Sequence, residues 1–289
     1  MKHILSLALP AALLAGAGLL ADEPLPANPL LDQFLEKGID VPGYGAFKLP
    51  KPTVRDGMTP AQLDSALKKA AGSAPVRLFL EKGLFKPITL KVDQVYDADK
   101  VRQAQYVKLH FVAHGKLETV LKKNLLTQLI GGAKGKSNAL DADQLKKRDL
   151  TLLKSKGLAE QYDILNMELL EKVSVSGITR SLKTTSDTVA YSTTILDDRF
   201  VKDAQYPNVW QHITAEGSLI GKPSPYSGMG GYVVALELPN PKGALYMEMH
   251  YILHEPKAWF GGPDVLRSKL PILIRDNVQE FRRKLAKEG

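Results

Sequence analysis

Four histidines fall in two His-x-x-x-His pairs, His110/His114 and His250/His254, and Glu248 stands two residues before His250. Imidazole and carboxylate groups ligate zinc and similar divalent ions, or move protons near neutral pH. On a helix, a spacing of four would put both rings of a pair on one face. Here each pair lies in a stretch of alternating apolar and polar residues, which is the period of a β-strand. Residues four apart on a strand are separated by roughly 13 Å, too far to share one ion. A metal site therefore needs His110 from one strand, and His250 or His254 from the other, with Glu248 as a further ligand. The preferred expectation is plainer: these groups occupy the polar face of half-exposed strands, opposite Val107, Leu109, Met247 and Met249.

Other motifs carry less. Gly131-Gly132-Ala133-Lys134-Gly135-Lys136-Ser137 resembles a phosphate loop, but Ile130 stands where that loop needs its first glycine. Ser65-Ala66-Leu67-Lys68 matches the Ser-x-x-Lys of penicillin-recognising enzymes without the companion motifs. Asp141 and Asp143 suit a helix N-terminus, and Asp197-Asp198 sit beside loop signals. There is no cysteine, so thiol nucleophiles, disulfides and thiolate metal sites are excluded.

The elements that must position these residues follow from periodicity and punctuation. Residues 22–58, rich in Pro and Gly, read as an extended lead-in with one short helix near Leu30 to Lys37. Thr59-Pro60-Ala61-Gln62 is a capping box that opens a helix with Leu63, Ala66, Leu67 and Ala70 on one face. Lys86–Tyr96 and Gln103–His114 read as strands, Lys116–Ile130 as a helix, and Asp141–Lys156 as another. From there strands dominate: Tyr162–Val175, Gly177–Leu182, Thr188–Leu196, Val209–Leu219, Gly231–Leu238 and Leu245–His254. Pro223–Gly231 reads as a loop. A closing helix carries an apolar stripe of Leu266, Leu270, Ile274, Val278, Phe281 and Leu285, with Pro271 expected to restart or kink it. The fold class is α+β: a curved antiparallel sheet packed on a long C-terminal helix, with an N-terminal helical extension. Residues 59–289 form one domain.

This element order resembles the START / Bet v 1-like helix-grip superfamily. The resemblance rests on the Gly115 and Gly131-Gly132 breaks, the hairpin at Asn240-Pro241-Lys242-Gly243, and the stripe from Leu266 to Leu285. It implies a cavity between sheet and helix for an apolar ligand such as a lipid. The cavity residues it implies are Leu109 and Phe111, then Tyr232, Met247, Met249 and Tyr251 from later strands, and Leu270, Ile274 and Phe281 from the helix. Pro271 and the extra residues 22–102 depart from the minimal fold.

Lys2 and His3 precede an apolar run from Ile4 to Leu20, with small residues before Asp22. That is the layout of a secretory signal peptide, and it is shorter than the roughly 20 residues of a membrane span. The protein is therefore expected to be exported, periplasmic or extracellular, and not transmembrane after cleavage. A net charge of +8 over 289 residues allows attraction to an anionic membrane surface, while the export signal and lack of a recognition motif argue against nucleic acid. The expected function is to bind or carry an apolar small molecule or lipid, without cofactor. The alternatives are a histidine- or metal-dependent envelope enzyme using His110, Glu248, His250 and His254 with zinc or a similar ion, and an envelope interaction protein.

Overall fold

Thr59 Oγ1 accepts from the Gln62 N–H at 3.3 Å, and Gln62 Oε1 accepts from the Thr59 N–H at 2.9 Å. This reciprocal cap opens a twelve-residue helix whose apolar face is buried as the sequence predicts. A computed structural model describes residues 25–122, 125, 126, 129, 136–260 and 265–287. The signal-like stretch, the glycine-rich segment up to Gly135 and the Pro263-Asp264 helix start lie outside the described residues.

The N-terminal part holds α1 (Pro29–Glu36), β1 (Ile39–Val41), β2 (Gly45–Phe47), α2 (Pro60–Ala71) and α3 (Val76–Leu80). Then follow β3 (Ile88–Tyr96), β4 (Arg102–His114), α4 (Leu117–Lys122), β5 (Lys136–Ala139), α5 (Ala142–Lys146) and β6 (Lys154–Ser155). The long strands are β7 (Leu158–Leu169), β8 (Val173–Thr185) and β9 (Val189–Leu196), followed by β10 (Val209–Ile213), β11 (Leu219–Pro225), β12 (Met229–Glu237) and β13 (Ala244–His254). The last element is α6 (Val265–Ala286).

Strands β3 to β13 form one antiparallel sheet of eleven strands, with the path β7-β8-β9-β12-β13-β4-β3. β5 and β6 pair with the outer side of β7. β8 changes partner along its inner edge, bonding β10 over residues 173–176 and β9 over residues 179–185. At the change, Asn208 accepts from the Ile178 N–H and donates to the Asp197 carbonyl, at 2.9 and 2.7 Å. Its side chain lies where a β-carbon on Gly177 would be, 2.2 Å from Oδ1, so only glycine fits.

The sheet has a core on each face. On one, Val107, Leu109 and Phe111 of β4 and Leu245, Met247 and Met249 of β13 meet the apolar stripe of α6. On the other, Tyr106, Val112, Tyr232, Tyr246 and Ile252 are covered by Leu30, Phe34, Ile39, Val41, Leu49 and Val54 of the N-terminal part. The Pro/Gly-rich lead-in is thus a packed layer rather than an extended arm, because its prolines separate short apolar pieces that dock one by one.

Four local expectations are corrected. α6 runs through Pro271 without a break, because its stripe keeps the segment docked on the sheet. Asp141 caps a helix of only five residues. Beyond it, Arg148 pairs with Asp203 at 2.7 Å, Asp149 takes a positive φ, and the chain turns into β6. The expected strand at 162–175 is broken by a turn at Leu170–Lys172. Residues 209–219 likewise hold a hairpin turn, so β11 occupies part of the expected loop at 223–231.

α6 is tied down at its C-terminal end. Arg282, 5% exposed, donates to the carbonyls of Val112, Leu84, Lys86 and Pro87 at 2.8 to 3.3 Å. Its guanidinium lies over the Phe111 ring, and burial holds its pKa down at about 10.

The N-terminal layer should contribute to global stability. Phe34 is fully buried, so Phe34→Ala is expected to cost about 3–5 kcal/mol in urea unfolding. A loss below about 1 kcal/mol would mean the layer is only loosely attached.

Candidate functional site

α6 and the sheet do not close on each other along their whole length. Under the N-terminal half of α6 a cavity of about 440 Å³ remains. Its floor is Val107 of β4 with Met249, Tyr251 and Leu253 of β13, and its roof is Leu270, Leu273, Ile274 and Asn277 of α6. Met167, Leu169 and Leu170 of the β7–β8 hairpin close one side, with Leu129. Period two explains the floor: alternate residues of β13 point to this face, and they are large and apolar. The four-residue steps of the α6 stripe explain the roof.

The rim is charged. Glu168, Glu171, Lys172 and Lys269 border the cavity and are exposed. Leu170 and Glu171 sit in the left-handed region, with φ of 53° and 56°, in a turn where the Lys172 N–H donates to the Leu169 carbonyl. Each such residue costs on the order of 1–2 kcal/mol relative to ordinary backbone. The turn places Leu170 against the cavity and leaves Glu171 and Lys172 exposed at its rim.

Of the nine residues expected to line a cavity, Met249, Tyr251, Leu270 and Ile274 border this one. Leu109, Phe111, Met247 and Phe281 lie in the same core, packed solid beyond its end; the rings of Phe111 and Phe281 meet edge to face at 5.6 Å. Tyr232 points to the opposite face, where its hydroxyl donates to the Pro50 carbonyl at 2.8 Å. β12 pairs with β13 so that Tyr232 stands beside His250 rather than beside Met249, which decides its face. The hairpin residues Met167 to Lys172 carry no apolar periodicity distinct from the rest of β7, so only the turn reveals their role.

On that opposite face, β4 and β13 pair with His110 directly across from Glu248. Ligand atoms of His110, Glu248 and His250 lie within 4.8 Å of one another. Glu248 is fully buried. Its Oε1 is 2.9 Å from His250 Nε2, and it accepts from the Thr53 N–H and hydroxyl at 2.9 to 3.0 Å. The Tyr246 hydroxyl donates to Oε2 at 3.4 Å. His250 Nδ1 is 2.6 Å from the Tyr106 hydroxyl, and His110 Nδ1 is 2.8 Å from the Tyr246 hydroxyl. The expectation of a half-exposed polar face is therefore overturned: the N-terminal layer covers these strands. Tyr106, Tyr246 and Thr53 complete the cluster without having been expected there. The two tyrosines share the alternation of His110 and Glu248, which was the available signal.

Burial by itself would raise the Glu248 pKa. The hydrogen bond and charge of His250, the charge of His110 and the Thr53 N–H outweigh it, and the carboxyl is held below its ordinary value. Burial holds His110 low, against the attraction of Glu248. Burial also pushes Tyr106 and Tyr246 upward, so both hydroxyls keep their protons. His254 lies outside the cluster, with its Nδ1–H donating to the Gln103 carbonyl at 2.8 Å and its ring beside Tyr226. Ser65 and Lys68 lie on α2, where Lys68 pairs with Asp64 at 2.7 Å.

No protein-family profile matches the chain, and no curated protein matches its sequence. Among solved structures it is similar to the human StarD13 (DLC2) lipid transfer and protein localization domain. The TM-score is 0.38 at 10% identity, over 81% of this chain and 98% of that one. A likeness of that size carries no function from one chain to the other.

His254 supplies a test of the packing around β13. Burial holds its pKa below the ordinary 6.5, against the raising effect of the Gln103 carbonyl. Below about pH 6.5 the unfolded chain therefore binds more protons than the native one, and stability present above that value is lost as pH falls. His254→Asn keeps a donor for the Gln103 carbonyl but cannot titrate. The drop in melting temperature between about pH 7 and pH 5 should be shallower in this variant; equal slopes would remove His254 from the account.

Proposed function

We propose that the protein is an exported binding or carrier protein for an elongated apolar molecule with a polar end, held between α6 and the sheet in a helix-grip arrangement. The observation that carries this reading is the apolar cavity of about 440 Å³, within the range of about 300–1,000 Å³ typical of small-molecule sites. The cavity opens to solvent at its rim, so it is wetted when it holds no ligand. Filled with water, it leaves the side chains of Met249, Leu270 and Ile274 wetted. An apolar occupant removes that exposure. Each methylene it buries is worth about 0.8 kcal/mol, before the cost of association is subtracted.

The charged rim supports an amphipathic ligand over a wholly apolar one. A polar end can remain among Lys172, Lys269, Glu168 and Glu171 while the apolar body sits beneath α6. Among the described residues the walls beneath the rim are mainly apolar side chains, which favours binding at this face. The signal-like N-terminal sequence supports a site of action outside the cytoplasm.

The test is titration with a fluorescent fatty-acyl probe, with mass spectrometry of an organic extract of the purified protein. One probe per chain is expected, displaced by the extracted molecule. Ile274→Trp should fill the cavity and weaken probe binding at least about tenfold, with an unchanged far-ultraviolet circular dichroism spectrum. Probe binding that is the same in the variant would sink the cavity as the site. A wild-type protein that binds no probe and yields no extractable molecule would sink the function.

A further inference from the structure

The geometry points to a binding site for a divalent transition metal ion of the zinc class, formed by His110, Glu248 and His250 on the face of the sheet opposite the cavity. Two imidazoles and a carboxylate are a donor set that zinc and ferrous ions accept, and zinc stands near the top of the general affinity order. Ligand atoms of the three residues already lie within 4.8 Å of one another. The strands supply this convergence: His110 and Glu248 are cross-strand partners, and His250 follows Glu248 by one period of the same face.

The surroundings resemble the supporting shell of a metal centre. Each ring is held at Nδ1 by a tyrosine hydroxyl, Tyr246 for His110 and Tyr106 for His250. An outer partner on one nitrogen fixes the ring plane and leaves the other nitrogen for a metal. Thr53 orients the carboxylate through both its N–H and its hydroxyl. An ion at His250 Nε2 would displace the proton that this nitrogen gives to Glu248: a neutral ring keeps it as the Nδ1–H tautomer, which donates to the Tyr106 oxygen, and a doubly protonated ring releases it to solvent. Three protein ligands leave one tetrahedral position for water or another molecule. Entry is from the His110 side, since His110 and Thr53 are partly exposed while Glu248 and His250 are buried.

This site is independent of the cavity, and its test reads metal rather than cargo. Full-length protein is stripped with a chelator, dialysed against zinc chloride, and measured by elemental mass spectrometry and thermal shift. One zinc per chain and a raised melting temperature are expected, with a ligand-field spectrum when cobalt(II) is used in its place. His110→Gln should abolish the stoichiometric ion and the cobalt spectrum, while His254→Asn keeps both. Tyr106→Phe should weaken binding about 10- to 100-fold, and it carries the test if His110→Gln fails to fold. Fatty-acyl probe binding should be the same in all variants. A wild-type protein that takes up no zinc would overturn the site, leaving Glu248 and His250 as a structural polar network. Zinc binding that survives unchanged in both His110→Gln and Tyr106→Phe would also overturn it, by placing the ion elsewhere.

Discussion

All eleven residues of β13 are buried, and that double burial is the constraint on which the rest of the architecture depends. A strand covered on both faces cannot relieve a polar side chain by turning it to water. One face of β13 meets this demand with leucine, methionine and Tyr251. The other carries Glu248, and removing a carboxylate from water costs several kcal/mol unless donors replace the lost hydration. The donors come from both near and far along the chain: His250 and Tyr246 from two residues away on the same strand, and Thr53 from the segment before α2. The N-terminal layer is therefore both the cover that excludes water from Glu248 and the source of the hydrogen bonds that make its exclusion tolerable.

Much of the frame was legible because it is written in local periods. The alternation of β4 and β13, the stripe of α6 and the capping box of α2 each depend on residues within a few positions of one another. The fold class follows from these. What was not legible depends on distant chain. No local signal announces that prolines and glycines at 26–52 belong to a layer on a sheet face, so the histidine strands read as half-exposed. The turn at Leu170–Lys172 contains no glycine, proline or asparagine; it is held, against its backbone strain, by the pairing of β7 with β8. The five-residue length of α5 was equally hidden, since the Arg148–Asp203 ion pair that redirects the chain spans 55 positions.

The same alternation that made strands readable also sorts the candidate residues. Met249 and His250 are neighbours in sequence, yet one borders the apolar cavity and the other the polar cluster. The backbone of β13 is the wall between them. A single strand thus carries two unrelated environments, and their separation is as narrow as one peptide unit. Tyr232 illustrates how little decides the matter: pairing with His250 commits it to the polar side.

The two ends of α6 are held by different means. Arg282 bonds four backbone carbonyls from two separate stretches of chain, residues 84–87 and Val112. The other half spans a void and carries Pro271, which has no N–H to offer the carbonyl one turn earlier. A helix held this way can lift locally at its Val265 end at a lower cost than unfolding the whole domain. The free energy of that partial lift, rather than that of unfolding the domain, then sets how fast anything beneath it is exchanged. Residence time and thermal stability become separately adjustable properties of one helix.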